Sequence, residues 1–408
     1  MLRSLTPALL LARLPATALR PQQMASLATR RSDAVEAMEV MIAMSPEDYA
    51  AGGGEKGLGF AYAGSYAGRN IEKIYAAGGL RGSLERCVAR ALDCDHALVV
   101  SGFFVLHDRG GHDGTDGTAR GLAAGSCETD GPLGALAVLR AFAARGKRAS
   151  LYCDAHNGPV LRAGFAAMVA FYDGAEPAMA AALRTWARCV DAAPASGAEA
   201  TAAAAARAVA AAWAPETPPR VDCLFAVERL GFPYRNIRGV DISEHTEPID
   251  ALWPAAPDAE AAPAGDVAAL RELAGVAPGA LSVGVGDGGN EVGMGAVVHR
   301  PELRGLAPEG FAALSENGCA RAADVLLAAT VSNWGGTAFE AAAAVLDPPR
   351  VAYGHHVAVE EAVLDAIMAP PACAVDGKHP ALPKSVDGMA WDPYHAAFYG
   401  ALWDIAER

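Results

Sequence analysis

Residues 281–295 read LSVGVGDGGNEVGMG, and the order of residue types in them decides the fold class. The apolar, β-branched start at 281–285 has the composition of a strand covered on both faces. It runs directly into glycines that flank two acids, Asp287 and Glu291. In an open α/β sheet, ligands sit beyond the carboxyl ends of the strands, so polar residues placed there carry the functional reading. The same pairing of a short apolar run with a polar follow-on recurs on either side. Further strands are expected at 97–100, 149–153, 223–227, 325–330 and 350–353, and helices between them at 132–145, 266–274, 337–346 and 359–368. This alternation predicts an α/β fold: a mostly parallel sheet with helices on both faces and a ligand site at the carboxyl ends of its strands.

Two helix starts carry local signals. Pro132 stands in a first turn with Asp130 placed to cap it, and Gly146 ends that helix. Thr337 with Glu340 makes a capping box behind Gly335-Gly336. Residues 33–92 read as mainly helical, broken at glycines 52–54 and 78–82. The alanine-rich stretch 175–219 ends in Pro215, Pro218 and Pro219 and reads either as helix plus linker or as an insertion without chemistry.

Composition narrows the class. A chain of 408 residues with 52% hydrophobic and 20% charged residues has the makeup of a globular protein of one large or two ordinary domains. A net charge of −14 argues against a nucleic-acid partner, whose grip comes from clustered Lys and Arg. No apolar run approaches the roughly 18 residues of a membrane span. The eight cysteines form no C-x-x-C pair and read as reduced, buried side chains. Residues 1–31 hold five arginines and no acid, the composition of an organelle transit peptide, mitochondrial or plastid; 32–408 is the folded part.

Five strand ends carry the unusual residues. They are Ser101-Gly102-Phe103 leading to Glu128-Thr129-Asp130-Gly131, then Asp154, then Glu228-Arg229, then 284–291, then Ser332-Asn333-Trp334-Gly335-Gly336. Residues 284–289 satisfy G-x-G-x-x-G, but Asp287 lies inside the loop and Glu291 follows it. Those charges would repel a pyrophosphate, so no nicotinamide or flavin is expected. Carboxylates on glycine-flanked turns suit a hard divalent cation, Mg²⁺ or Mn²⁺, with Glu128, Asp130, Asp287 and Glu291 as its candidate ligands and catalytic acids. The ordinary alternative for each is hydrogen bonding to loop amides. The amides at Asn333 to Gly336 would suit a carboxylate at a helix N-terminus, or form a tight turn around a buried Trp334. Arg235 and Arg238 could clamp a second carboxylate or pair with Asp241 and Glu244. No H-E-x-x-H and no G-x-S-x-G occurs.

Together, Ser101-Gly102-Phe103, Glu128 to Pro132 with Gly134-Ala135, Arg238 to Ser243, Gly284 to Gly295, Val331 to Gly336 and Ser385 to Gly388 resemble the C-terminal domain of the D-glutamate cyclase family. The resemblance runs from about residue 33 to 405. It implies a lyase that interconverts D-glutamate with 5-oxo-D-proline and water in the mitochondrial matrix, with a divalent metal at Glu128, Asp130, Asp287 and Glu291. Substrate contacts would then fall on Gly102, Phe103, Arg238, Asn290, Asn333, Trp334, Gly335 and Gly336. Vertebrate members carry a further large N-terminal domain, where this sequence has the helical segment 33–92. Rival readings for the same loops are a metal-dependent phosphohydrolase or sugar-phosphate enzyme, and a metabolite-binding protein without turnover. The oligomeric state is not fixed by the sequence.

Overall fold

The structure is a computed structural model and describes residues 21–43, 71–106, 125–216, 219–236, 239–259, 265–306, 318–378 and 382–408. Six strands form one sheet: β1 (His96–Gly102), β2 (Arg148–Cys153), β3 (Ala187–Asp191), β4 (Val221–Arg229), β5 (Val276–Gly286) and β6 (Val325–Ala328). They lie in the order β3-β2-β1-β4-β5-β6, and every pairing is parallel. Strand order therefore reverses between β1 and β4, the switch point at which doubly wound sheets open a crevice.

Alternation along the strands explains why both faces are covered. Val99, Leu151, Phe225, Val283 and Leu327 face one hydrophobic core, whose cover includes α1 (Pro21–Ala43), α2 (Pro132–Ala143), α3 (Gly158–Ala175), α5 (Ser332–Leu346), α6 (His356–Met368) and α7 (Ala396–Glu407). Leu98, Val100, Tyr152, Leu224 and Ala226 face a second core, under α4 (Ala198–Trp213) and the short helix Val267–Leu273. A strand buried on two sides must be apolar at nearly every position, which is the run seen in the sequence. All eight cysteines are free, and all but Cys189 are buried. Among the described residues no helix is long and apolar enough to cross a membrane.

Four expectations need correction. Residues 350–353 form no strand; Val351 donates its N–H to the Ala144 carbonyl at the end of α2 instead. The alanine-rich stretch does hold helix, at Pro177–Trp186 and in α4, but between them it also supplies the edge strand β3, which the sequence reading lacks. No Thr337–Glu340 capping box exists, because α5 begins five residues earlier, at Ser332. There Thr337 Oγ1 donates to the Asn333 carbonyl, and Glu340 binds Arg140. Glycines 335 and 336 do not break the helix; they let it touch its neighbours. A Cβ on Gly336 would stand 2.5 Å from Gly134 Cα of α2, and one on Gly335 would run into Val285. Gly336→Ala is therefore expected to push α2 and α5 apart and destabilise the protein by about 1–3 kcal/mol, read as a lowered urea midpoint with unchanged m-value. The fourth correction concerns Asp130 and belongs to the site.

The expected leader boundary after Arg31 falls inside a helix: α1 runs from Pro21 through Arg30 and Arg31, and Val35 is the first buried side chain among those described in it. Residues 1–20 and 44–70 lie outside the described residues, as do the glycine-rich loop 107–124 and Arg238.

Candidate functional site

Past β1 the chain makes a two-stranded ribbon, Phe104–Leu106 with Gly125–Cys127, and returns to the switch point at Glu128-Thr129-Asp130. The expected cap from Asp130 onto its own helix is absent. Its carboxylate caps α5 instead: Oδ1 accepts the Asn333 N–H at 2.8 Å and the Gly131 N–H at 2.9 Å, and Oδ2 accepts the Ser332 N–H at 3.0 Å. Asn333 returns the interaction. Its Oδ1 accepts the Gly131 and Gly134 N–H groups at the start of α2, at 2.8 and 2.9 Å, and its Nδ2 donates to the Thr129 carbonyl. Each helix start thus receives a side chain from the other's entry, Asp130 from the loop before α2 and Asn333 from the first turn of α5, satisfying donors that a helix start leaves over. The helix N-terminus expected to receive a ligand carboxylate is filled by the protein's own.

Three buried carboxylates meet here. Oxygens of Asp130, Glu228 and Asp287 lie within 4.8 Å of one another. Glu228, the last residue but one of β4, has φ of 45°, in the left-handed region that non-glycine residues seldom occupy. Backbone held there costs on the order of 1–3 kcal/mol and concentrates at functional sites. Its neighbour Arg229 ion-pairs with Asp154 at 2.5 Å and donates to the Glu247 carbonyl. Burial works against the Asp154 carboxylate, but Arg229 and the Asn157 hydrogen bonds outweigh it and hold its pKa below the usual value. Asp287 follows β5 between two glycines.

Of the four expected metal ligands, the structure therefore brings two together, Asp130 and Asp287, and adds Glu228. Glu291 stands apart because its carboxylate accepts the Gly288 and Gly289 N–H groups at 3.0 and 2.8 Å, tying the Asp287 loop. Those are also amides that a pyrophosphate would have needed. Glu128 lies against residue 377, where a Cβ would meet its carboxyl carbon at 2.6 Å. Donor chemistry fits a hard cation: three carboxylates, with neither sulfur nor imidazole in the group. One further oxygen adjoins it. Ser101 Oγ is buried without a hydrogen-bond partner among the described residues, and a Cβ on Gly131 would contact both it and Glu228.

The expected substrate contacts separate into groups. Asn290 is fully buried beside Glu291, its Nδ2 on the Arg235 carbonyl and its Oδ1 without a hydrogen-bond partner among the described residues. Gly102, with φ of 99°, makes room for Asn157 at the end of β1. Phe103 packs with Leu230 and Ile242. Trp334 stacks on Phe398 at 3.9 Å and donates to His395, well inside the core. A separate cleft of about 670 Å³ opens near the ends of β2 and β3, lined among others by His156, Ser196, Tyr234 and Glu247. Burial pushes the Glu247 carboxyl up.

Fold and site together define a doubly wound parallel α/β protein whose switch point is lined by carboxylates, where dinucleotide-binding proteins of this architecture present glycine amides. The family model described as D-glutamate cyclase-like, C-terminal, matches residues 63–402, and the chain belongs to that family. It is also 37% identical over 136 residues to the human protein named D-glutamate cyclase, mitochondrial. That match covers 32% of this chain and 18% of the human protein, so the chain spans less than a fifth of its relative's length.

Proposed function

We propose that the protein interconverts D-glutamate and 5-oxo-D-proline with water, assisted by a divalent cation, Mg²⁺ or Mn²⁺, at Asp130, Glu228 and Asp287. The observation that carries this reading is the convergence of those three buried carboxylates at the switch point of a D-glutamate cyclase-like domain. In the ring-opening direction the oxygen of water bonds to the lactam carbonyl carbon and the carbon–nitrogen bond breaks. The nitrogen takes up a proton that the water gives up, so the reaction balances without a further reactant. When bound, a divalent cation would polarise a carbonyl oxygen and make water easier to deprotonate.

The protein groups divide the remaining work. Asp130 accepts three backbone N–H bonds, which favours its charged form, so it holds position rather than carrying a proton. Asp287, on a turn between Gly286 and Gly288, is the carboxylate we assign to move the proton between water and nitrogen. Asn290 remains a candidate substrate contact, and Arg238, outside the described residues, the candidate for fixing the substrate carboxylate. The arginine-rich, acid-free leader and the mitochondrial name of the human relative support a place in the mitochondrial matrix.

Chiral chromatography tests this directly. The full chain is incubated with 5-oxo-D-proline or its L form, with Mn²⁺ or with chelator. D-glutamate is expected from the D form alone and only with metal. Turnover that survives chelation removes the cation, and folded protein that makes no product removes the reaction.

A further inference from the structure

Ser332 is the first residue of α5 and is fully buried. Two of its groups reach two different carboxylates of the cluster. Its hydroxyl donates to Glu228 Oε2 at 2.6 Å, and its backbone N–H donates to Asp130 Oδ2 at 3.0 Å. Glu228 leaves β4 through a strained backbone conformation, so its side chain direction is not set by the strand's own pleat. A hydroxyl offered from a packed helix start supplies a fixed partner. The helix behind it is held from the other side by the exchange of caps between Asp130 and Asn333. Movement of α5 would therefore carry Asp130 and Glu228 with it together.

We propose that Ser332 is a positioning residue for the acidic site: through one hydroxyl and one amide it sets the spacing of Glu228 and Asp130 that a divalent cation requires. The inference rests on the cation reading given above. Groups that orient metal ligands without touching the metal typically change affinity by about 10- to 100-fold when removed. Loss of the hydroxyl alone leaves the amide on Asp130, so the effect is carried by Glu228.

Calorimetric titration of the full chain with Mn²⁺ alone, beside thermal unfolding of the metal-free proteins, makes the test. Ser332→Ala is expected to bind Mn²⁺ about 10- to 100-fold more weakly than the wild type, and Ser332→Cys, which keeps the volume but donates poorly, to fall with it. Ser332→Thr, which keeps the hydroxyl, should recover most of the affinity. If Ser332→Ala does not fold, the Cys and Thr variants carry the comparison. Wild-type affinity in folded Ala or Cys variants overturns the positioning role and leaves the triad standing. A folded Thr variant as weak as Ala also overturns it, because the loss then comes from packing. A wild-type chain that takes up no Mn²⁺ overturns the triad itself, and this inference with it.

Discussion

Asp287→Asn is expected to lower turnover of 5-oxo-D-proline by a factor on the order of 10² to 10⁴, the usual worth of a positioned acid–base group, while the protein stays as stable as the wild type or gains slightly. The side chain is fully buried and its carboxylate shares a 4.8 Å neighbourhood with those of Asp130 and Glu228. Asparagine keeps the shape and an oxygen ligand but removes one negative charge and the capacity to carry a proton. Like charges held together out of water repel, so removing one relieves the fold even as it disables the site. Two measurements separate these effects. Turnover is followed by chiral chromatography, and thermal unfolding is recorded with and without Mn²⁺; the ion should raise the wild-type midpoint and leave that of the variant nearly unmoved. Retained turnover would remove Asp287 from the chemistry. Glu291→Gln is the informative contrast. Its carboxylate binds the Gly288 and Gly289 amides, so that variant should lose stability together with activity.

The contrast between those two acids also marks what the sequence could and could not reveal. Both stand in the same glycine-rich loop, and spacing alone offers no way to tell a residue that faces the site from one that ties the loop. Glu228 was legible only as an acid following a strand. Its membership in the cluster comes from a positive φ and from Ser332, some hundred positions away. Asp130 was readable as a helix cap, but the helix it caps is set by tertiary contact. Five of the six sheet strands are visible as apolar runs because burial on two faces leaves little room for polar residues. The missing one, β3, is a five-residue edge strand, ARCVD, with only Ala187 and Val190 buried, set among alanines that read as helix. Gly335-Gly336 misled because a glycine pair signals a turn locally, whereas here the close approach of β5 at Gly335 and of α2 at Gly336 demands it.

The buried network around Arg140 has no sequence signature, and it carries the largest stability effects expected of this fold. Arg140 on α2 binds Glu340 of α5 through two hydrogen bonds, of 2.8 and 2.7 Å, and also binds Glu360 of α6; Tyr353 donates to Glu340 at 2.7 Å. All three charged side chains are out of contact with solvent. Arg140→Met leaves two buried carboxylates without their cation and should cost about 3–5 kcal/mol, seen as a lowered urea midpoint. With two acids to one base, the pair cannot ionise freely. Burial, with help from Glu340 and against the pull of Arg140, pushes the Glu360 carboxyl up to about 7 from an ordinary 4.5. The folded state therefore keeps this proton where the unfolded chain has lost it. Below pH 4.5 both states are protonated and the contribution to stability is whole; it declines as pH rises toward 7 and is gone above that. A shift of this size corresponds to about 3 kcal/mol at most. Glu360→Gln cannot titrate, so its stability relative to the wild type should improve by up to about that amount between pH 5 and pH 8. Taking the difference between the two proteins at each pH cancels every other titrating group. A difference that does not change with pH would mean that Glu360 is already ionised at pH 5, with Arg140 dominating burial in this cluster.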